Sequence, residues 1–328
     1  MKRYLVTGAA GYIGSHFLQR ALLHSGYSDS EFLCIDQAEQ PLWIVELCRN
    51  FPSRLVYLKS NLREARFLGD RLKGLSGVFH FAGLKDVVES FKRPKDYYKE
   101  NVVALLELLQ SAQFCGNGFF CFSSSASVYG ETPVNQPVSE THILNPLSPY
   151  SRSKAMAEQI LSDVACMQRD STKFVSLRYF NPVGGSKGIE TPFQSSLFDQ
   201  ICINIKNDMP IKIFGNDHRT KDGTCVRDFI DIDDLVDAHL RLGLSDLCLL
   251  EEQLNIFNVG SNHTSSVAEV VNQMGEIYGR KLVTAVCKKR VGDIPYSSAD
   301  GTKLKSFLNW SPKQDLRSMC EHHLDWRI

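Results

Sequence analysis

The chain predicts an α/β fold, a doubly wound parallel sheet followed by a smaller α/β region, and three observations carry that expectation. Short β-rich apolar runs alternate with helix-length amphipathic segments. A glycine-rich loop joins the first run to the first such helix. From about residue 182 the alternation loosens into polar, Gly-rich stretches.

The runs in order are "RYLVTG", "EFLCID", "RLVYL", "GVFHFAG", "GFFCFSSS" and "KFVSLRYFN", short and rich in the branched and aromatic residues that favour strands. Between them "YIGSHFLQRALLHS" and "DYYKENVVALLELLQSA" have helical spacing. Strands that alternate with helices imply right-handed βαβ units and a parallel sheet covered on both faces. Further on, "GGSKGIETPFQ" and "GNDHRTKDGTC" read as loops, while "DIDDLVDAHLRLGL" and "SSVAEVVNQMGEIYG" still read as helices. The expected division is 1–181 for a dinucleotide-binding domain and 182–328 for a substrate domain, with roughly 227–259 returning to the first.

Composition narrows the partners. The 328 residues carry 37 basic and 37 acidic side chains, so no nucleic-acid or membrane surface is expected. The first apolar run is broken by glycines, and no later run reaches the roughly eighteen apolar residues of a membrane span. A soluble, cytoplasmic protein is expected. The ten cysteines show no C-x-x-C pair and read as reduced packing residues; the nine histidines show no H-E-x-x-H, so no metal is expected, His322-His323 carrying little weight. The sequon at Asn262 matters only in a secreted chain.

"VTGAAGYIGSH" places Gly8, Gly11 and Gly14 three apart, after a strand and at the opening of a helix. Glycines there allow a tight turn and a close backbone approach to a pyrophosphate, which the helix N-terminus attracts. A plain turn is the alternative. Asp36, about twenty residues on at the end of the second strand, can accept both ribose hydroxyls of adenosine and repels a 2′-phosphate, which favours NAD over NADP. The hydroxyl cluster Ser123, Ser124 and Ser125 ends a strand at the carboxyl edge, where ligands bind; Ser123 and Ser124 equally suit backbone capping.

In "SPYSRSKAMAEQ", Tyr150 and Lys154 lie four apart at a helix start and share a face. A free phenol with a pKa near 10 is too weak a base at neutral pH. An ammonium about 5–6 Å away is worth roughly 3 kcal/mol, or about two pKa units, and a positive nicotinamide adds to that pull. The pair alone is common on solvated helix faces. With the glycine loop and Ser125 it points to a base poised near neutrality.

Taken together these residues resemble the extended short-chain dehydrogenase/reductase superfamily. "FAGLKDVVESFKRPKDYYKENV", "SSSASVYG", "SPYSRSK", "LRYFNPVG", "IFGNDHRTKDGTCVRDFI" and "RVGDIP" are similar, in order and nearly end to end, to UDP-galactose 4-epimerases. The resemblance implies tightly bound NAD and a UDP-hexose or UDP-N-acetylhexosamine substrate. Tyr150 would take the proton of the sugar 4-hydroxyl, Ser125 would hydrogen-bond the same oxygen, and Lys154 would hold the nicotinamide ribose. By the same resemblance, hydride would pass from C4 to NAD, the 4-keto sugar would turn over, and hydride would return to its other face. Elimination would need an acid and base beside the strand-end hydroxyl, where this chain has Ala126 and Ser127. The same matching assigns Gly8, Gly11, Tyr12, Ile13, Gly14, Asp36, Asn61, Leu62, Phe81, Ala82, Lys85, Asn101, Ser123 and Tyr179 to the cofactor. To the UDP-sugar it assigns Lys85, Asn181, Ser196, Leu197, Phe214, Arg227, Arg290, Asp293 and Ser297. Lys85 also reads as a solvated lysine beside Asp86, and Arg227 as a salt bridge beside Asp228. The family commonly dimerises through two helices, and "KENVVALLELLQSA" and "SRSKAMAEQILSDVA" carry apolar stripes that suit either a homodimer or sheet packing.

Departures concern the sugar. Asn61 stands where the family usually has Asp, Ser195-Ser196 replaces an Asn pair, and the loop after Gly184 is shorter. In "GDIPYSSAD", Ser297 falls where galactose-restricted members carry tyrosine, leaving room for an acetamido group; a one-residue slip makes Tyr296 the gate. A uronic acid epimerase and a non-catalytic nucleotide sensor are the competing readings.

Overall fold

A computed structural model describes residues 1–167, 172–192, 196–252, 254–290 and 292–328. The strands are β1 (Lys2–Thr7), β2 (Ser30–Asp36), β3 (Leu55–Lys59), β4 (Leu75–His80), β5 (Phe114–Ser125), β6 (Thr172–Tyr179), β7 (Asn181–Val183), β8 (Ile211–Phe214), β9 (Val226–Asp231), β10 (Leu254–Val259), β11 (Thr264–Ser266), β12 (Thr284–Cys287) and β13 (Tyr296–Ser297). Seven of them form one parallel sheet in the order β10-β6-β5-β4-β1-β2-β3. The chain winds outward from β1 through β3, then restarts at β4 on the other side of β1. That reversal opens a crevice above the carboxyl ends of β1 and β4, the place where open α/β sheets bind ligands.

Alternation along each strand supplies two cores, because neighbouring side chains leave opposite faces. From β1, Tyr4 and Val6 enter a core with Phe17 of α1 (Tyr12–Leu23), Ile44 of α2 (Leu42–Asn50) and Leu235 from a later helix. Leu5, between them, enters the opposite core with Leu105, Leu108, Ala157 and Leu161. The short helices α3 (Val87–Lys92) and α4 (Pro94–Tyr98) lead to α5 (Ala104–Ser111), and α6 (Pro149–Met167) carries Tyr150 and Lys154. The segment expected as one continuous helix is therefore interrupted: Lys99–Val103 forms a π-helical turn. Its wide turn brings the Asn101 amide inward, where it is fully engaged.

The smaller region holds β11-β9-β13 with β7 beside β9, and the pair β12-β8. Its core packs Phe198 and Ile201 of α7 (Leu197–Lys206) against Phe229, Val270 and Met274, the last two from a helix that a Ser266/Glu269 capping box starts. The chain crosses back between the two: α8 (Ile232–Leu244) lies on α1, and β10 extends the main sheet beside β6. The capping-box helix is α9 (Val267–Tyr278), and α10 (Thr302–Leu308) and α11 (Leu316–Arg327) follow it. Among the described residues no helix is long and apolar enough to cross a membrane.

Candidate active site

The cradle over β1 is built by close backbone approach. Gly8 has φ +68°, and a Cβ on it would lie 2.7 Å from the Ala82 nitrogen; one on Gly14 would lie 2.2 Å from the Gly8 carbonyl oxygen. Both positions therefore exclude side chains. The Thr7 hydroxyl accepts from Ala82 N at 3.3 Å and shares a hydrogen bond of 2.7 Å with His80 Nδ1, which fixes the end of β4 against the loop. Burial holds His80 down to about 3, so it stays neutral. Asp36 accepts from Ala10 N and Ala38 N, each at 3.0 Å, and a carboxylate retains further lone pairs for hydroxyl donors. Gly11 caps α1 and offers no side chain to its first amides, among them those of Tyr12 and Ile13, so the helix N-terminus keeps donors for an anion. These features fit a dinucleotide pyrophosphate with its adenosine ribose.

Other predicted cofactor residues meet the same crevice. Phe81 and Ala82 extend from β4, and Phe81 packs 5.3 Å from Phe17. Asn101 Oδ1 accepts from Leu84 N at 2.8 Å, while its Nδ2 donates to Leu84 O and to Ser153 Oγ, pinning the 83–85 loop to α6. Lys85 ends that loop, its ammonium 5.3 Å from the Tyr12 ring centre. The residue is exposed to the cleft, and desolvation by the surrounding protein lowers its ammonium to about 8. Tyr12 itself stacks on Trp326 at 5.5 Å and donates to Gly184 O. At the adenosine end, Asn61 commits its side-chain oxygen to Arg63 N at 3.0 Å as a cap, with Leu62 buried behind it.

At the carboxyl edge of β5 the catalytic candidates converge. Lys154 is buried and donates to the Ser123 carbonyl at 2.7 Å, its ammonium lying 4.8 Å over the Phe122 ring. Burial lowers it to about 8, against the pull of Glu158. Ser125 accepts from Ser127 N and hydrogen-bonds Tyr150. The direction at Tyr150 differs from expectation. Burial raises the phenol and the Ser125 hydrogen bond only partly offsets it, because desolvating a phenolate outweighs what the protein's own groups return.

The predicted substrate residues fall into two linked pairs. Arg227 donates to Asp293 at 2.7 Å, so its ion-pair partner is Asp293 across the sheet and not the neighbouring Asp228. The Arg290 guanidinium sits 3.7 Å over Phe214, and Asp293 N donates to Arg290 O, closing the two pairs into one wall. Asn181 on β7 donates to Asp228 O at 2.7 Å. Ser196 caps α7 by accepting from Asp199 N, which begins the helix at Leu197; Ser195 lies outside the described residues. Register pairs Ser297 with Arg227 and Tyr296 with Val226, so Ser297 leaves the sheet on the arginine's face. Tyr296 instead lines a separate cavity of about 420 Å³ with Pro137, Asn262 and Lys305.

Sequence reasoning passed over His16 and His239 here, and gave His323 and Ser127 no part in holding the site. His16 accepts from Ser186 N and His323 from Gly184 N, both holding the loop after Gly184, and His239 hydrogen-bonds Tyr179. Ser127 buries a hydroxyl that has no partner among the described residues. Isolated histidines such as His16 and His239 have no spacing signature, whereas Ser127, two residues from Ser125, is within reach of motif reading.

A switch-point dinucleotide cradle with a Ser-Tyr-Lys group on the neighbouring strand and helix defines the extended short-chain dehydrogenase/reductase class. Residues 4–260 match the NAD dependent epimerase/dehydratase family, and the chain belongs to it. It is 34% identical over 337 residues to UDP-glucose 4-epimerase 2 of Arabidopsis thaliana, covering 99% of this chain and 95% of that one. It is similar to the crystal structure of the Stenotrophomonas maltophila UDP-glucose 4-epimerase with bound NAD and formylated UDP-arabinopyranose, with a TM-score of 0.86 and 31% identity, covering 100% and 98% of the two chains. The UDP-Glc/GlcNAc 4-epimerase of Campylobacter jejuni aligns with a TM-score of 0.80 and 34% identity over 100% and 99%.

Proposed function

We propose that the chain is an NAD-dependent UDP-sugar 4-epimerase, acting on UDP-glucose and UDP-galactose and also on the N-acetylated pair. The observation that carries the reaction type is the group of buried Tyr150 and Lys154 with half-buried Ser125 at the switch-point edge, with Ala126 and Ser127 where elimination would need an acid and a base.

NAD, held by the Gly8–Gly14 loop, Asp36, Asn61, Leu62, Phe81, Ala82, Lys85, Asn101, Ser123 and Tyr179, supplies a hydride acceptor and a positive ring that offsets the burial of the phenol. Tyr150 takes the proton from the sugar 4-hydroxyl, and Ser125 holds that oxygen from the other side. Lys154, seated on the Ser123 carbonyl, keeps a positive charge one turn from Tyr150 and holds the nicotinamide ribose. Arg227 and Arg290 present paired donors to the UDP diphosphate, while Asn181, Ser196, Leu197, Phe214 and Asp293 frame the nucleotide. A tethered diphosphate lets the sugar turn without leaving. Ser297, on Arg227's face, leaves space for a 2-acetamido group.

Exposed Val103, Leu106 and Met156 support a homodimer face on α5 and α6 and the turn before them. The described cysteines are all free thiols, which suits a reducing cytoplasm. The decisive assay offers UDP-Gal, UDP-GalNAc and their gluco epimers separately to the purified protein. Interconversion within both pairs is expected; no interconversion of any of them sinks the reading.

A further inference from the structure

A chain of hydrogen bonds runs inward from the catalytic floor. Lys154 donates to the Ser123 carbonyl, the Ser123 hydroxyl meets Tyr179 Oη at 2.8 Å, Tyr179 Oη meets His239 Nε2 at 2.6 Å, and His239 Nδ1 meets Leu235 O at 2.8 Å. Ser123, Tyr179 and His239 are all buried, and Phe17 and Phe81 pack on the imidazole. The direction follows from the last link. A carbonyl only accepts, so Nδ1 carries the proton. Burial lowers His239 to about 4, so at neutral pH Nε2 is bare and accepts. Tyr179 must then donate to His239, and Ser123 must donate to Tyr179. Nothing remains on Ser123 for the cleft but lone pairs.

We propose that His239 is a positioning residue: by fixing the direction of this chain it makes Ser123 an acceptor toward the cleft, matched to an amide N–H of the cofactor's carboxamide. The reacting ring of the dinucleotide has to lie against Tyr150 and Lys154, and the carboxamide is the one amide donor on that ring. Without His239 the Tyr179 hydroxyl turns to Ser123, and Ser123 can present a proton instead.

The inference rests on NAD as cofactor and not on which sugar is turned over. The test equilibrates purified protein with equal NAD and its 3-acetylpyridine analogue, in which a methyl replaces the amide nitrogen. Bound dinucleotide is then released and quantified by chromatography. The parent is expected to retain NAD in about three- to tenfold excess, the worth of one hydrogen bond. His239→Leu brings the ratio near one, whereas His239→Gln, whose amide donates to Leu235 O and accepts from Tyr179, keeps it. Tyr179→Phe removes the acceptor of the Ser123 proton and also levels the ratio, so a His239→Leu protein that fails to fold leaves the question answerable. A parent with no preference, or folded leucine and phenylalanine variants that keep the parent ratio, overturns the relay. Recovery of no dinucleotide at all overturns the cofactor assignment beneath it.

Discussion

The floor of the cleft and its wall are held in place by different forces. On the floor, Ser123, Ser125 and the residues after β4 sit on strand ends whose positions are set by continuous parallel pairing, from Gly118↔Thr172 to Ser125↔Tyr179. On the wall, Arg227 and Phe214 also sit on strands, but Asp293 and Arg290 lie outside them and are tied in by one ion pair, one cation–π contact and one backbone hydrogen bond. Backbone ladders tolerate little change, whereas side-chain pairs exchange partners readily. Chemistry therefore belongs to the rigid part, and the choice of sugar nucleotide to the adaptable one.

Breaking the floor should cost most. Tyr150→Phe is expected to lower kcat by roughly 10²–10⁴, the usual worth of a positioned acid–base group, while NAD retention and UDP affinity persist. Parent-like turnover there would place the base elsewhere. Breaking the wall should act on binding. Arg227→Ala is expected to raise KM for the UDP-sugar by about 10- to 150-fold, as for loss of a charged hydrogen bond, with kcat much less affected. A loss confined to kcat would move Arg227 off the diphosphate. Ser297→Tyr sharpens the comparison, since overpacking a rigid pocket costs about 1–3 kcal/mol. It should suppress N-acetyl turnover about 5- to 150-fold relative to the plain sugars, and an unchanged ratio of the two activities removes Ser297 as the gate.

The smallest effect separates the two regions by pH. Burial lowers His16 and His239 to about 4 and His80 to about 3, below their ordinary 6.5. A depressed histidine gives stability that is present above about pH 6.5 and is lost as pH falls toward 4. Asp228 and Asp231, near the wall, are raised to about 6 by burial and act oppositely, stabilising the fold more as pH falls below 6. The three histidines carry the larger combined change, so Tm should fall by at least about 5 °C between pH 7 and pH 4.5. A Tm that rises over this interval would mean the aspartates dominate.

Much of the floor is legible in the linear chain because its elements are local. Gly8 and Gly14 stand where the loop touches β4 and itself, Tyr150 and Lys154 share one turn of α6, and Ser125 ends a strand. The π-helical turn at Asn101 was not legible, since nothing in "KENVV" marks a widened turn; the amide's bonds to Leu84 and Ser153 are made 17 and 52 residues away. The same holds for Arg227, whose neighbour in sequence is Asp228 but whose partner is Asp293, brought near when β13 pairs with β9.

Short apolar runs alternating with helix-length segments, helical spacing and glycine placement determined the parallel sheet, the succession of its elements along the chain and the identity of the group at its edge. These are consequences of backbone geometry acting over a few residues. Tertiary structure alone decided the ionisation of that group and the direction of its hydrogen bonds. The raised Tyr150, the lowered Lys154 and the neutral His239 all follow from burial, and burial exists only once distant segments have closed over them.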